Sequence, residues 1–187
     1  MKIAFTGTHC TGKTTLLHDI EEIFSTEFVV NSVTEVARRI ISRGYPLSMD
    51  ANIDSYVHYI NDQLNEENEK MKNCGLFISD RTLLDPVAYA IVNYQLPRPY
   101  IPQYFIDMMK NVWLLEKEKY DLYVYFPVEF ELEADGVRPS DEKYRQDIDK
   151  VIVSLLEEYN INYIKISGNR FERREYLSCV IKEHLCN

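Results

Sequence analysis

The stretch that decides the fold is residues 7 to 15, which read Gly7-Thr8-His9-Cys10-Thr11-Gly12-Lys13-Thr14-Thr15. It matches the pattern G-x-x-x-x-G-K-[ST], in which glycines let backbone N–H groups point at bound phosphates. An apolar run at residues 3–5 precedes it, and an amphipathic run at residues 16–20 follows it. A strand before the loop and a helix after it are the context that this pattern requires, and the helix N-terminus favours the same anion. We therefore predict that all nine residues form a nucleoside triphosphate-binding loop rather than a plain glycine-rich turn.

Two side chains of this loop suit a bound triphosphate and its metal. Lys13 is long enough to reach the outer phosphates, and the hydroxyl of Thr14 is a suitable ligand for Mg²⁺. ATP and Mg²⁺ are the expected cofactors. The four histidines are scattered along the sequence, so they predict no zinc site.

Composition favours an ordinary globular protein. A chain of 187 residues predicts a single domain over residues 1–187, and its 45% apolar and 27% charged content is unexceptional. No apolar stretch approaches the roughly 20 residues of a membrane span, and no leader pattern opens the chain. Because no such span is found, we expect no membrane partner. The four cysteines have no recurring spacing, so we expect a reducing, cytoplasmic setting.

The net charge of −9 argues against a polynucleotide partner, because proteins that bind nucleic acids usually present a basic surface. A small phosphorylated ligand in a local basic pocket is compatible with it. The cluster Arg38, Arg39 and Arg43 keeps a nucleic-acid substrate open as an alternative.

Alternating strand and helix patterns predict an α/β fold with a parallel sheet between two layers of helices. The predicted buried strands are residues 2–6, 28–33, 76–79, 122–126 and 163–166. The predicted buried faces of the helices are Leu16, Ile20, Ile23 and Phe24; Ile53, Val57, Ile60 and Leu64; Leu84, Val87, Ala88 and Ile91; Phe105, Met108, Met109 and Val112; and Ile148, Val151, Ile152, Leu155 and Leu156.

A polar segment over residues 129–147 follows the fourth strand. It contains Arg138 and Arg145 at the strand's carboxyl end, where such sheets bind ligands. A solvated loop and a mobile lid over the phosphates are both open interpretations.

Carboxylates follow two of the other strands. Asp80 ends the third strand, where a residue that organises Mg²⁺ belongs, and Arg81 follows it directly. Glu35 follows the second strand, where it either accepts a proton from an attacking hydroxyl or is a helix-start residue favoured by the dipole. Asp85 before Pro86 is either a helix N-cap or a substrate contact, or both.

The remaining candidates lie on helices. Arg38 and Arg39 are adjacent, so they point about 100° apart, and one of them could reach a phosphate on the acceptor. Gln63 is either a side chain that reads a base edge or an ordinary glutamine on a helix surface.

Three blocks of sequence resemble one family. They are residues 5–14, residues 34–38, and residues 80–89, which read Asp-Arg-Thr-Leu-Leu-Asp-Pro-Val-Ala-Tyr. The chain is similar to the small P-loop AAA-type ATPase/kinase group typified by the ribosylnicotinamide kinase domain of NAD-biosynthesis regulators, and more distantly to deoxynucleoside and thymidylate kinases. The similarity spans nearly the whole chain.

That resemblance implies a five-stranded parallel sheet in the order 2-3-1-4-5 and Mg-ATP as phosphoryl donor. It implies catalytic roles for Lys13, Glu35, Asp80, Arg81 and Arg138, with Thr14 and Asp80 at the metal. The substrate contacts that we expect are Glu35, Arg38, Arg39, Gln63, Arg81, Asp85 and Arg145. Related kinases are often dimeric, so a homodimer is also open.

The predicted function is transfer of the γ-phosphate of ATP to a small acceptor, namely a nucleoside, a nucleotide or a molecule like nicotinamide riboside. Two alternatives stay open. One is a kinase acting on a hydroxyl of DNA or RNA, and the other is a non-catalytic, nucleotide-binding regulatory ATPase.

Overall fold

The computed structural model describes residues 1–97, 99–131 and 141–185. Its five strands are β1 Lys2–Thr6, β2 Val30–Val33, β3 Leu76–Asp80, β4 Leu122–Tyr125 and β5 Tyr163–Lys165. Its helices are α1 Lys13–Phe24, α2 Val36–Ser42, α3 Ile53–Lys70, α4 Leu84–Asn93, α5 Gln103–Glu116, α6 Glu142–Glu158 and α7 Arg170–Leu185.

The strands form one parallel sheet in the order β2-β3-β1-β4-β5. The predicted three-layer fold and strand order are therefore confirmed. In this order β1 lies at the centre, and the register pairs Phe5 of β1 with Asp80 of β3. The carboxyl ends of the central strands, which lead into the loop at residues 7–15 and into Arg81, consequently lie side by side.

Apolar side chains fill both faces of the sheet, as expected for parallel strands between two helical layers. Ile3 and Phe5 of β1 pack with α1 and α7 on one face, while Ala4 between them packs with helices α2 to α6 on the other. Among the described helices, none is long and apolar enough to cross a membrane.

Two helices bury a face that is rotated from the predicted one and overlaps it only in part. In α3 the buried positions are Ser55, Tyr56, Tyr59, Gln63 and Glu67, whereas the predicted Val57 is 46% exposed. In α5 Met108 is 44% exposed, and Ile106 and Trp113 are buried instead. The pattern failed in α3 because aromatic residues and a polar pair take the inner face, where Gln63 and Glu67 hydrogen-bond to each other and to Ser79.

The sequence Asp85-Pro86 also suggested an N-cap for α4 that the structure does not have. The helix begins at Leu84 with Leu83 in the N-cap position, so Asp85 and Pro86 lie inside its first turn. Asp85 is not the cap because its carboxylate faces the loop after β1, as described below.

Candidate functional site

The loop after β1 has the backbone that its glycines predict. Gly7 has φ of 142°, and a Cβ there would lie 2.5 Å from the carbonyl oxygen of Phe126, so no larger residue fits. Gly12 is the left-handed N-cap of α1, with φ of 85°. The loop therefore curls directly onto a helix N-terminus, which is a favourable arrangement for an anion.

Lys13 lies folded over this loop. Its Nζ donates to the carbonyl of Thr8 at 2.5 Å and to Oγ1 of Thr11 at 2.9 Å, and the residue is buried. The positive charge is therefore held within the loop, next to the backbone that curls around it. This position complements a phosphate group electrostatically.

Thr14 and Asp80 meet at the end of the loop. The Thr14 hydroxyl donates to the Asp80 carboxylate, and both residues line one cavity together with Glu35. Hydroxyl and carboxylate oxygens are the ligands that Mg²⁺ prefers. No group of three or more His, Cys, Asp or Glu side chains could hold a metal within the described ranges. The set fits Mg²⁺ bound by one or two protein oxygens plus phosphate, which is its usual mode.

Glu35 is the N-cap residue of α2, and its backbone is left-handed with φ of 63°. Its carboxylate lies 2.9 Å from Arg38 and lines the cavity that contains Asp80 and Thr14. Glu35 therefore stands at a helix start and also lines the cavity, and its role as a proton acceptor stays a prediction. Uncommon backbone angles of this kind concentrate at functional sites.

Arg81 joins this cavity to a larger one. Its guanidinium donates to the carbonyl of Gly7 at 3.2 Å and to Asp85 at 3.0 Å. The Asp85 carboxylate also accepts from Thr6 Oγ1 and from the backbone N–H of Thr82. Burial raises the pKa of Asp85, and the positive charges of Arg81 and Lys13 oppose that shift. Asp85 thus anchors Arg81 beside the loop.

The larger cavity is a mostly apolar cleft of about 540 Å³. Arg81 and Asp85 are the charged residues among those that line it, and they are paired with each other. The other lining residues are Ala37, Ile41, Leu47, Ser48, Ala51, Tyr56, Tyr59, Pro86 and Tyr89. An apolar cleft with aromatic walls suits a small, partly aromatic ligand.

Several predicted substrate contacts lie elsewhere. Arg39 pairs with Glu66 and donates to the carbonyl of Thr34, and Gln63 is completely buried beneath the cleft, with its amide bonded inside the core. Arg38 lines the smaller cavity through its pair with Glu35. Arg138 and the middle of the predicted lid fall outside the described residues.

Arg145 is fully buried and supports the phosphate-binding loop through hydrogen bonds to backbone carbonyls. It donates to the carbonyl of Cys10 at 3.1 Å and to that of Phe130 at 2.9 Å. Arg173 of α7, which the sequence did not single out, donates to the carbonyl of the next loop residue, Thr11, at 2.7 Å. Two buried cations thus support consecutive peptide groups of the loop.

A third cavity lies beside the start of α1. It is lined by Gly12, Thr15, Leu16, Phe130, Arg170 and Arg173. The guanidinium of Arg173 stacks on the ring of Phe130 at 4.6 Å. The sequence carried no signal for this cavity, because Phe130 and Arg173 are 43 positions apart and belong to no shared motif.

The same fold occurs in solved structures of low sequence identity. A deoxyadenosine kinase from M. mycoides with dCMP and dCDP bound has a TM-score of 0.71 and 16% identity over 98% of this chain and 100% of its own. NadR in complex with NR has a TM-score of 0.79 and 18% identity over the whole chain, which spans 52% of NadR. NadR in complex with NAD and AMP-PNP has a TM-score of 0.76 and 15% identity over 100% of this chain, which spans 49% of NadR.

No curated protein sequence is detectably similar to this chain. The structural neighbours agree with the family resemblance in the sequence, including the likeness to deoxynucleoside kinases. The family model described as AAA domain matches residues 2–174. The chain therefore belongs to the AAA domain family.

Proposed function

We propose that this protein is an ATP- and Mg²⁺-dependent kinase that phosphorylates a hydroxyl group of a nucleoside. The observation that carries the proposal is the convergence of Thr14, Glu35 and Asp80 on one cavity, beside the loop that holds Lys13 and next to an apolar cleft. A phosphate-binding loop alone would serve many functions. A carboxylate and an apolar cleft beside it favour transfer to a bound acceptor.

Each of these side chains has a task in such a reaction. The loop N–H groups and Lys13 bind the phosphates of the donor, and Thr14 and Asp80 hold the metal. Mg²⁺ neutralises phosphate charge when bound. Glu35 accepts the proton of the attacking hydroxyl, and Arg81 adds positive charge beside the transferred group. Positioning and charge neutralisation account for most of the catalysis in this class of reaction.

The charge of the cleft supports a nucleoside over a nucleoside monophosphate. Among the described residues that line the cleft, Arg81 is the one with a positive charge, and Asp85 already pairs with it. A second phosphate in this cleft would lack a compensating charge. The three tyrosines of the cleft instead offer rings on which a base can stack.

The arginines of α2 give little support to a nucleic-acid substrate. Arg38, Arg39 and Arg43 each pair with a carboxylate, namely Glu35, Glu66 and Asp62. Their charge is thus balanced locally, and the chain as a whole carries −9. A phosphate backbone is attracted by unbalanced positive charge.

The direct test is a phosphorylation screen with labelled ATP. The panel holds free nucleosides including nicotinamide riboside, nucleoside monophosphates, and single- and double-stranded oligonucleotides. We expect labelled product from nucleosides only. Label on monophosphates or oligonucleotides would refute the nucleoside assignment, and ATP binding without any labelled acceptor would favour a regulatory nucleotide-binding protein.

A further inference from the structure

Arg81 has a backbone conformation that must be held in place. Its φ is 79°, in the left-handed region that residues with a side chain rarely adopt. Its N–H donates to the carbonyl of Phe5 at 3.0 Å, and its guanidinium reaches Gly7 and Asp85. A change in this backbone would therefore move the guanidinium away from the loop and from the cleft.

The carbonyl of Arg81 is fixed by two buried side chains. Ser79 Oγ lies 2.7 Å from this oxygen, and the amide nitrogen of Gln63 lies 3.1 Å from it. Both residues are completely buried, and neither lines one of the three cavities. Gln63 is therefore too deep to touch an acceptor, but it touches the residue that does face the cleft.

Glu67 lies within hydrogen-bond distance of both side chains, and the single hydroxyl proton of Ser79 serves one acceptor at a time, either Glu67 or the Arg81 carbonyl. Its Oε1 lies 2.6 Å from the Gln63 amide nitrogen, 2.8 Å from Ser79 Oγ and 2.6 Å from the hydroxyl of Tyr120. Its other oxygen lies 2.7 Å from Nζ of Lys119. Turning the Gln63 amide over would set its oxygen against this carboxylate, so the N–H groups are the ones that face Glu67 and Arg81.

We propose that Gln63 is a positioning residue that acts through Arg81, by bonding its carbonyl and so maintaining the left-handed backbone that aims the guanidinium at Gly7 and Asp85. This inference rests on the proposed kinase function. It gives the glutamine of α3 a role in phosphoryl transfer without any contact with the acceptor.

The test compares Gln63→Leu with Tyr120→Phe. The first removes a donor to the Arg81 carbonyl, while the second removes a donor to the same Glu67 oxygen and leaves Arg81 untouched. We expect kcat/KM for the acceptor to fall at least tenfold in Gln63→Leu, with KM for ATP within about threefold of wild type. Tyr120→Phe is expected to lower Tm comparably and to keep kcat/KM within about threefold.

Ser79→Ala is the second variant, because it removes the hydroxyl that lies closest to the same carbonyl, at 2.7 Å, with a smaller change in volume. It should lose acceptor turnover in the same way as Gln63→Leu. Equal losses in all three variants would show a purely structural network, and wild-type kinetics in Gln63→Leu and Ser79→Ala would also overturn the proposal.

Crystal structures of the variants keep the proposal separate from the proposed function. In Gln63→Leu or Ser79→Ala we expect Arg81 to leave its φ near 79° and its contact with Asp85. An unchanged Arg81 in both variants refutes the positioning role. A wild-type protein that phosphorylates no acceptor refutes the kinase function instead, and the structures then decide the positioning role alone.

Discussion

Glu35 is the residue that separates a kinase from a simple ATPase in this account. Its carboxylate shares a cavity with Thr14 and Asp80, and within the part of the chain that the structure describes its ion-pair partner is Arg38, at 2.9 Å, which lines the same cavity. In the proposed reaction this carboxylate serves the acceptor hydroxyl, and we expect binding of the donor phosphates not to depend on it.

Glu35→Gln should therefore keep the shape of the site and lose the proton acceptor. We expect kcat for acceptor phosphorylation to fall by roughly 10²–10⁴-fold, the usual contribution of a positioned general base. KM for both substrates should change little. Steady-state kinetics of the purified variant measure this.

Glu66→Gln is the matched control, because Glu66 also pairs with an arginine of α2 but lines none of the cavities. It should retain activity within about threefold of wild type. Normal turnover in Glu35→Gln would mean that Glu35 is a helix-start residue only, and Asp85 would become the candidate base.

Single residues were predictable where a short motif carries them. The loop that leads to Lys13 and Thr14 follows β1, and Asp80 ends β3, so the strand pattern predicts their neighbourhood. Tyr56, Tyr59 and Tyr89 were not identified as cleft residues, because tyrosines on helices usually belong to the core. They line the same cleft only because α3 packs against α4.

At the scale of elements, α1 and α7 support the loop from the same face of the sheet. Asp19 of α1 forms a bidentate ion pair with Arg170 of α7, with distances of 2.8 and 2.6 Å. The hydrogen bonds from Arg170 lower the pKa of Asp19 below its ordinary value of 3.8. Because Arg170 is 71% exposed, solvent screens much of this pair.

The sign of the pH effect follows from that shift. The stabilisation is present above pH 3.8 and disappears as the pH falls through the lower pKa of the folded state. Asp19→Asn should lower the free energy of unfolding at pH 7 by at most about 1 kcal/mol. Urea titrations of both proteins should give a difference that closes as the pH falls below 3.8. A difference that grows in acid would contradict the pairing.

Element types and their order could be predicted, but the rotation of two helices could not. The apolar stripe through Val57 in α3 is a regular helical pattern, yet the buried face passes through Tyr59 and Gln63. A periodicity argument assigns polar residues to solvent. It fails where Glu67 and Ser79 provide buried partners for a glutamine.

For the whole molecule, nucleotide binding should stabilise the fold. A ligand at 100 times its Kd stabilises the folded state by about 2.7 kcal/mol, which corresponds to roughly 5–10 °C in Tm for a chain of this size. We expect Mg-ATP to produce such a shift in thermal denaturation and Lys13→Ala to lose most of it. Lys150→Ala, on the exposed face of α6, is the control that should shift like wild type.

The fate of the γ-phosphate tests the central claim most directly. ATP labelled at that position is incubated with Mg²⁺, the wild-type protein and the nucleoside panel, and the labelled products are separated. We predict that the label appears on a nucleoside as its monophosphate, faster than it appears as inorganic phosphate, and that Lys13→Ala abolishes both products. Label found solely as inorganic phosphate, at a rate that no nucleoside alters, would contradict the assignment of this protein as a nucleoside kinase.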